Sequence, residues 1–377
     1  MNLKRYFLLV PFKAVLIVLI VNGLCRPGYT SDIPRVVDGT IDLRRWDMQT
    51  SGPVELSGKW KFYWAQHLDP QNISSAGHAL DASWVNVPGS WNKTVVNTKK
   101  IPGTGYATYH LKIYLQSKEE PLALKFLDMA TSYAVFINGR KIDTVGSPGK
   151  SPAETIPFYH PKTIEFQPES DTLDIVVHVS NFHHWQGGMW ETILLGTLDQ
   201  LGKIKQNKTR MLFFSTGVIL AIGLYHLVLF VFRTRDRSNL FFGIFCLLIV
   251  IRIFFTGERV ITDFIPGINF EQSLMAVYIA FYLCIPCFAM YTHYIFPKEF
   301  PKKFTTIVWI IALAFTMMVF VLPSRLYTGS MPVYQGLCVL ALIYGAWATC
   351  KSIFKKRKGA AIFALGFVIL IISELLI

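Results

Sequence analysis

From residue 211 onward the chain runs through six apolar stretches, 211–232, 239–256, 274–296, 304–323, 331–350 and 359–377, joined by short polar connections. About 20 helical residues cross a hydrocarbon core of ~30 Å, and an uninterrupted helix satisfies its own backbone hydrogen bonds there. This half is therefore expected to be an all-α polytopic bundle. The residues before it have another character: 31–200 are rich in Trp, Tyr, Gly and Pro, and their short runs alternate between apolar and polar side chains.

Charge fixes the expected orientation. The net +13 is uneven, because residues 31–210 hold 19 Lys/Arg against 18 Asp/Glu while 211–377 hold 14 against 6. The first, third and fifth connections carry 11 basic residues: Arg233, Arg235, Arg237, Lys298, Lys302, Lys303, Lys351, Lys355, Lys356, Arg357 and Lys358. The second and fourth carry only Arg259 and Arg325. Short loops rich in Lys and Arg stay in the cytoplasm, so the even connections and the N-terminal module are expected outside. Residues 1–30 agree, reading as a signal peptide with Lys4 and Arg5 ahead of the greasy run Ala14–Ile20. The expected location is a bacterial inner membrane with a periplasmic N-terminal domain. Basic charge confined to membrane loops argues against a nucleic-acid partner. The last stretch reaches Ile377 without a polar flank, so a seventh helix and a cytoplasmic module are expected in a longer protein.

Ionisable side chains inside a membrane span are costly and each needs a reason. Four stand out as candidates for an intramembrane polar switch: His226, Arg252, His293 and Glu374. Arg252 and His293, near span ends, have snorkelling to the interface as their plain explanation. His226 and Glu374 are expected to bond across helices. Cys284-Ile-Pro-Cys287 has a redox or metal spacing, but no His or acidic neighbour accompanies it inside its span, so the cysteines read as packing around a proline kink. No cofactor or metal is expected.

The exterior half is expected to be an all-β sandwich of jelly-roll type. Trp60–Trp64, Tyr109–Tyr114, Leu122–Leu127 and Leu173–Val179 read as strands, and Trp60, Phe62 and Trp64 alternate onto the face assigned to the core. Asn138-Gly139, between apolar runs, tolerates positive φ twice, as a type I′ hairpin requires. Glu119-Glu120 reads as a solvated hairpin tip rather than an acid/base pair. Residues 201–210, basic and polar, read as a linker from the sandwich to the first span.

The order Leu56-Ser-Gly-Lys-Trp-Lys-Phe62, Val87-Pro-Gly-Ser-Trp91, Gly105-Tyr-Ala-Thr-Tyr109, Phe136-Ile-Asn-Gly139 and Asn181 resembles the N-terminal sugar-binding-type jelly roll of β-galactosidases and β-glucuronidases. Tyr225–Phe230, Arg235–Leu240 and Thr256-Gly-Glu-Arg-Val-Ile261 follow it. Together these resemble the bacterial 7TM receptors with diverse intracellular signalling modules (7TMR-DISM), over about residues 38–377. The resemblance implies a galactose-binding-like ectodomain sensing a carbohydrate or derivative. It also implies a seven-helix relay, six helices of which are present, and a cytoplasmic cyclase, kinase or phosphatase acting in cis or in trans. It implies no catalysis here, because in the glycosidases the jelly roll is accessory to a separate catalytic barrel.

Sugar recognition needs flat aromatic faces and planar polar groups. The densest such cluster, Asn181-Phe-His-His-Trp-Gln-Gly-Gly-Met-Trp-Glu191, supplies the ligand-binding candidates Asn181, His183, His184, Trp185, Trp190 and Glu191, with Trp91 and Tyr106 beside them. Adjacent histidines without a third ligand are a weak metal signal. The expected partners are a small ligand, the bilayer, an effector and, as a further option, a second copy of the chain. The alternatives are a transporter or secretion component with an accessory β domain, and a purely structural ectodomain.

Overall fold

The computed structural model describes residues 34–71, 73 and 82–376, with side chains as far as 368. The expected signal peptide and the side chain of Glu374 lie outside the described residues. Residues 34–196 form two facing sheets. The larger contains β1 (Thr40–Leu43), β3 (Gly58–Trp64), β4 (Ser83–Val87), β7 (Gly105–Leu115), β9 (Ser132–Ile137), β10 (Arg140–Val145) and β12 (Thr172–Asn181). Its order is β10-β9-β12-β7-β3-β4, with β1 lying parallel to β7. The smaller contains β2 (Val54–Glu55), β8 (Leu122–Phe126), β11 (Lys162–Phe166) and β13 (Leu194–Gly196), in the order β11-β8-β13-β2. A two-residue ribbon pairs β5 (Val95–Val96) with β6 (Lys99–Lys100).

Period-two alternation sorts the side chains. Tyr109, Leu111 and Ile113 of β7 and Leu173, Ile175, Val177 and Val179 of β12 enter one core with Trp60, Phe62 and Phe126. Trp64 is partly buried against it. Asn138 and Gly139 take φ of 48° and 81°, the two positive values of the expected hairpin turn between β9 and β10. Glu119 and Glu120 are exposed, but they do not cap a hairpin. They connect β7 in one sheet to β8 in the other.

The membrane half contains six long helices: α1 (Leu198–Phe232), α2 (Arg237–Phe254), α3 (Phe270–Ile295), α4 (Lys302–Val321), α5 (Met331–Phe354) and α6 (Ala360–Leu376). Five helical runs among the described residues are long and apolar enough to cross a membrane. The sixth helix, α6, has 17 residues, about 25 Å. Neighbours pack in sequence, α1 on α2, α2 on α3, α3 on α4 and α5 on α6, with α5 also against α3. Gly223 and Gly243 let α1 and α2 approach closely, since a Cβ on Gly243 would lie 2.6 Å from the Leu227 side chain and 3.0 Å from the Gly223 carbonyl. Ile307, Ile310, Phe320, Leu340 and Ile343 project outward, as lipid-facing positions do. Pro286 sits inside α3, and Cys287 beside it is buried in an apolar cluster with Phe245 and Ala280.

One expectation needs correction. Residues 201–210 are helical and continuous with the first span: α1 runs 35 residues, about 52 Å, far more than the hydrocarbon thickness requires. A capping box starts it, with Thr197 Oγ1 accepting from the Gln200 N–H and Gln200 Oε1 accepting from the Thr197 N–H. The first turns pack on β8, β11 and β13. The polar sequence of the linker is that of a largely solvent-facing helix.

Candidate functional site at the sandwich–bundle seam

The loop 181–191 is built from its own buried polar groups. Asn181 is fully buried; its Nδ2 donates to the carbonyls of Gly103 and His184 at 2.8 Å each, and its Oδ1 accepts from the His184 N–H at 3.1 Å. Trp91 is buried too, donating from Nε1 to the Gly103 carbonyl at 3.0 Å. Gly187 lies flat on the Trp91 ring, where a Cβ would come within 2.2 Å. Asn92 ties the ends, donating to the Trp185 carbonyl and accepting from the Gly187 N–H. Asn181 and Trp91, buried and hydrogen-bonded within the loop, thus form its scaffold.

The rest of the loop faces the membrane bundle. The Trp185 N–H donates to Thr328 Oγ1 at 3.0 Å, and His184 Nε2 lies 3.4 Å from the Tyr278 hydroxyl. The Trp190 ring packs 4.8 Å from that of His184, while His183 meets Phe270 edge-on. Tyr159, from the β10–β11 loop, also packs on Phe270, at 4.8 Å. Burial holds His184 down to about 4 and lowers His183 as well. Glu191 is exposed. Tyr106 stands apart, edge-on to His67 at 4.9 Å; His67 in turn stacks on His178 at 4.6 Å. The candidate cluster therefore divides into a scaffold, a docking face and a separate aromatic–histidine group on the large sheet.

The strongest electrostatic contacts of the seam come from residues that composition and spacing did not single out as a site. The turn after α2 presents Glu258 and Arg259 side by side. Glu258 accepts a short hydrogen bond from Lys125 Nζ on β8, and the two side chains are 6 % and 2 % exposed. Arg259 grips Asp128 with two nitrogens, Nε at 2.9 Å from both carboxylate oxygens and Nη2 at 2.6 Å. Its Nη1 donates to the Phe255 carbonyl at 2.8 Å, and its plane lies 3.9 Å over the Tyr159 ring. Burial opposes the charge on Arg259, but the Asp128 carboxylate outweighs it and raises the guanidinium above its ordinary range. Burial lowers Lys125 against the pull of Glu258. Paired, bidentate and aromatic-stacked contacts of this kind fix geometry as well as adding energy.

The second and fourth connections are also tied to each other. Glu271, at the start of α3, accepts from Ser324 Oγ at 2.6 Å and from the Tyr327 hydroxyl at 3.4 Å, and the Tyr282 hydroxyl meets Ser330 Oγ at 2.8 Å. The sandwich thus sits on the second and fourth connections. The basic first, third and fifth connections lie at the far end of the antiparallel helices. Of the intramembrane candidates, His226 Nδ1 meets Asn239 Oδ1 on α2 at 2.8 Å, the expected cross-helix bond, and His293 Nδ1 donates to the Phe300 carbonyl at 2.5 Å. The Arg252 guanidinium lies 4.8 Å over the Phe281 ring. Among the described residues no group of three or more His, Cys, Asp or Glu is placed to hold a metal ion.

No curated protein matches this chain. Solved structures similar to the sandwich include a β-glucuronidase from Ruminococcus gnavus in complex with D-glucuronic acid (16 % identity, TM-score 0.28, covering 38 % of this chain and 29 % of that one). Others are a β-glucuronidase of an uncultured Clostridium species (17 %, TM-score 0.29, 38 % and 28 %) and a GH2 β-galacturonidase from Eisenbergiella tayi bound to galacturonate (15 %, TM-score 0.28, 39 % and 24 %). This chain spans less than a third of the length of each. The helical half has a family-level match, 7TM diverse intracellular signalling, over residues 208–377. The multi-pass helices and this match agree: residues 208–377 are similar to the 7TM diverse intracellular signalling family.

Proposed function

We propose that this protein is a receptor of a bacterial inner membrane, whose periplasmic sandwich senses a small ligand and passes the event through the bundle to a cytoplasmic effector. The observation that carries the reading is the pair of buried salt bridges, Lys125–Glu258 and Asp128–Arg259, joining sandwich and bundle through consecutive residues of one turn. A flexible tether would leave the two domains independent. Here any change in sandwich shape pulls on the connection between α2 and α3, and α1 continues from the sandwich without a break. Support for the placement outside is the 11 basic residues of the odd connections, at the end away from the sandwich.

The ligand class is a carbohydrate or derivative. Support for it is the jelly-roll motif order from Leu56 to Asn181 and the density of aromatic rings around Tyr106, His67 and His178. A ligand shifts the bundle only by as much as it prefers one packing over the other. The test is the thermal unfolding of the full chain, in nanodiscs, against a panel of mono- and oligosaccharides. A saturable rise in midpoint with a subset of them is the expected result. No shift with any glycan at millimolar concentration sinks the sugar assignment, and solute uptake by proteoliposomes containing the chain sinks the receptor reading.

A further inference from the structure

The sandwich has a cleft at the end away from the bundle. Strand β7 begins at Gly105, opposite Asn181 of the seam loop, and ends 11 residues later at Leu115, a span of about 34 Å. At that far end Met48 and Leu115 are buried in the floor of the cleft and Trp46 is partly buried beside them. Asp47, Glu119 and Glu120 complete the lining of a volume of about 140 Å³. Among the described residues no Lys or Arg lines it. Of the bases nearby in sequence, Arg44 is engaged by Asp42, and Arg45 and Lys118 are exposed. The walls are tied together: Gln49 Nε2 donates to Glu120 Oε1 at 3.0 Å, joining the helical turn Met48–Ser51 to the β7–β8 connection. That turn is tied in its other direction to the membrane half. The Met48 carbonyl accepts from Gln200 Nε2 at 2.5 Å, and Gln200 is the residue that completes the capping box of α1.

An ionised carboxylate only accepts hydrogen bonds, so this rim selects donors. Three carboxylates around one cleft favour a positive donor over a neutral one, and an aromatic face attracts the same charge. The apolar floor takes a hydrocarbon body. From this we infer that the cleft binds a small organic ammonium ion, its charge between Asp47, Glu119 and Glu120 and its carbons on Trp46 and Met48, and that its occupancy acts on the start of α1 through Met48 and Gln200. The geometry suits such an action. Gly196, just before α1, pairs with Ala123 near the start of β8, so α1 begins at the cleft end of the sandwich. Its first turns pack along β8, β11 and β13 before the same helix enters the apolar span. A shift of the Met48–Ser51 turn therefore reaches the bundle along one continuous helix, by a route separate from the seam. The site uses none of the Tyr106, His67 and His178 group and stands independently of the sugar reading.

The experiment uses the full chain in nanodiscs of phosphatidylglycerol, a lipid without an amine, with thermal unfolding followed while sodium is replaced by choline or by protonated ethanolamine at constant ionic strength. The expected result is a saturable rise in midpoint with at least one of the two, and none with the uncharged analogue of choline in which carbon replaces nitrogen. The double variant Glu119→Gln/Glu120→Gln removes two charges but keeps an acceptor for Gln49, and its half-saturating concentration should move up by about tenfold or more. Glu165→Gln, at an exposed position of β11 outside the cleft lining, should leave that concentration unchanged. Should the double variant fail to fold, Glu119→Gln alone decides, since its side chain is exposed. Hydrogen exchange reads the second half of the proposal: the saturating ammonium should slow exchange of the Gln200 N–H in wild type and not in the double variant at the same concentration. No response to either ammonium overturns the proposal, as does an equal response to the uncharged analogue or an undiminished response in the carboxylate variant. Saturable binding that leaves Gln200 exchange unchanged overturns the action on α1.

Discussion

Replacing Asp128 with Asn should loosen the sandwich from the bundle without unfolding either. The substitution keeps the shape of the side chain and removes the charge that Arg259 faces. The pair is largely buried, 9 % and 17 % exposed, and removing one member of a buried pair strands the other at a cost of ~3–5 kcal/mol. The partial exposure of Asp128 and the remaining bond from Arg259 to the Phe255 carbonyl place the expected loss at the lower end, about 3 kcal/mol. At 1.4 kcal/mol per decade this is a shift of about 100-fold in the docked-to-undocked ratio. The N–H of Trp185 reports it directly, because its acceptor, Thr328 Oγ1, belongs to the bundle. Hydrogen exchange of the full chain in nanodiscs should show its protection fall by about 100-fold. Val177, in the central strand β12 and bonded between β7 and β9, should be unchanged. A loss under about threefold at Trp185, or an equal loss at Val177, refutes the docking argument.

Other outcomes follow from the same contacts. Lys125→Met should cost about 3 kcal/mol by leaving Glu258 buried alone, and adding Glu258→Gln should recover most of it, a non-additivity readable by thermal unfolding. Thr328→Val removes one cross-seam acceptor and should cost about 1 kcal/mol, lowering Trp185 protection by about fivefold. Gly187→Ala forces a methyl group into the Trp91 ring and should destabilise the sandwich by about 1–3 kcal/mol, seen as a lower unfolding midpoint. Burial holds His184 and His67 at about 4, below the ordinary value of 6.5, so protonation favours the unfolded chain. Their contribution is full above pH 6.5 and is lost as pH falls toward 4; His184→Asn should flatten that slope in midpoint-against-pH curves, with His67 retaining part of it.

Much of the architecture is legible because it rests on local pattern. Strands β3, β7, β8 and β12 follow from alternation, the β9–β10 turn from Asn138-Gly139, and the spans from apolar length. The junction at 201–210 was not legible. Its residues are polar because that stretch of α1 faces water, and only its packing on β8, β11 and β13 reveals a continuous helix. The seam was also hidden. Lys125 lies on the outward face of an ordinary strand, and Asp128 two residues past its end; nothing in their neighbourhood announces that a turn 131 and 133 residues later covers them. Thr256-Gly-Glu-Arg-Val-Ile261 was visible as a family motif, but its work, presenting Glu258 and Arg259 to the sandwich, emerges from the tertiary contact. The aromatic cluster 181–191 stands out in the sequence by its density of rings. Its rings pack inward and downward, because Asn181 and Asn92 bond the loop into one conformation.

The central claim is that ligand binding to the sandwich is transmitted through this seam. Spin labels on the sandwich at Lys141 and on the second connection at Asp263 allow the distance across it to be measured in the full chain in nanodiscs. The account predicts a narrow distribution that shifts or splits when a ligand raising the unfolding midpoint is added. In Asp128→Asn the distribution should already be broad without ligand. A ligand that stabilises the protein yet leaves the distribution unchanged, with Asp128→Asn as narrow as wild type, would contradict it.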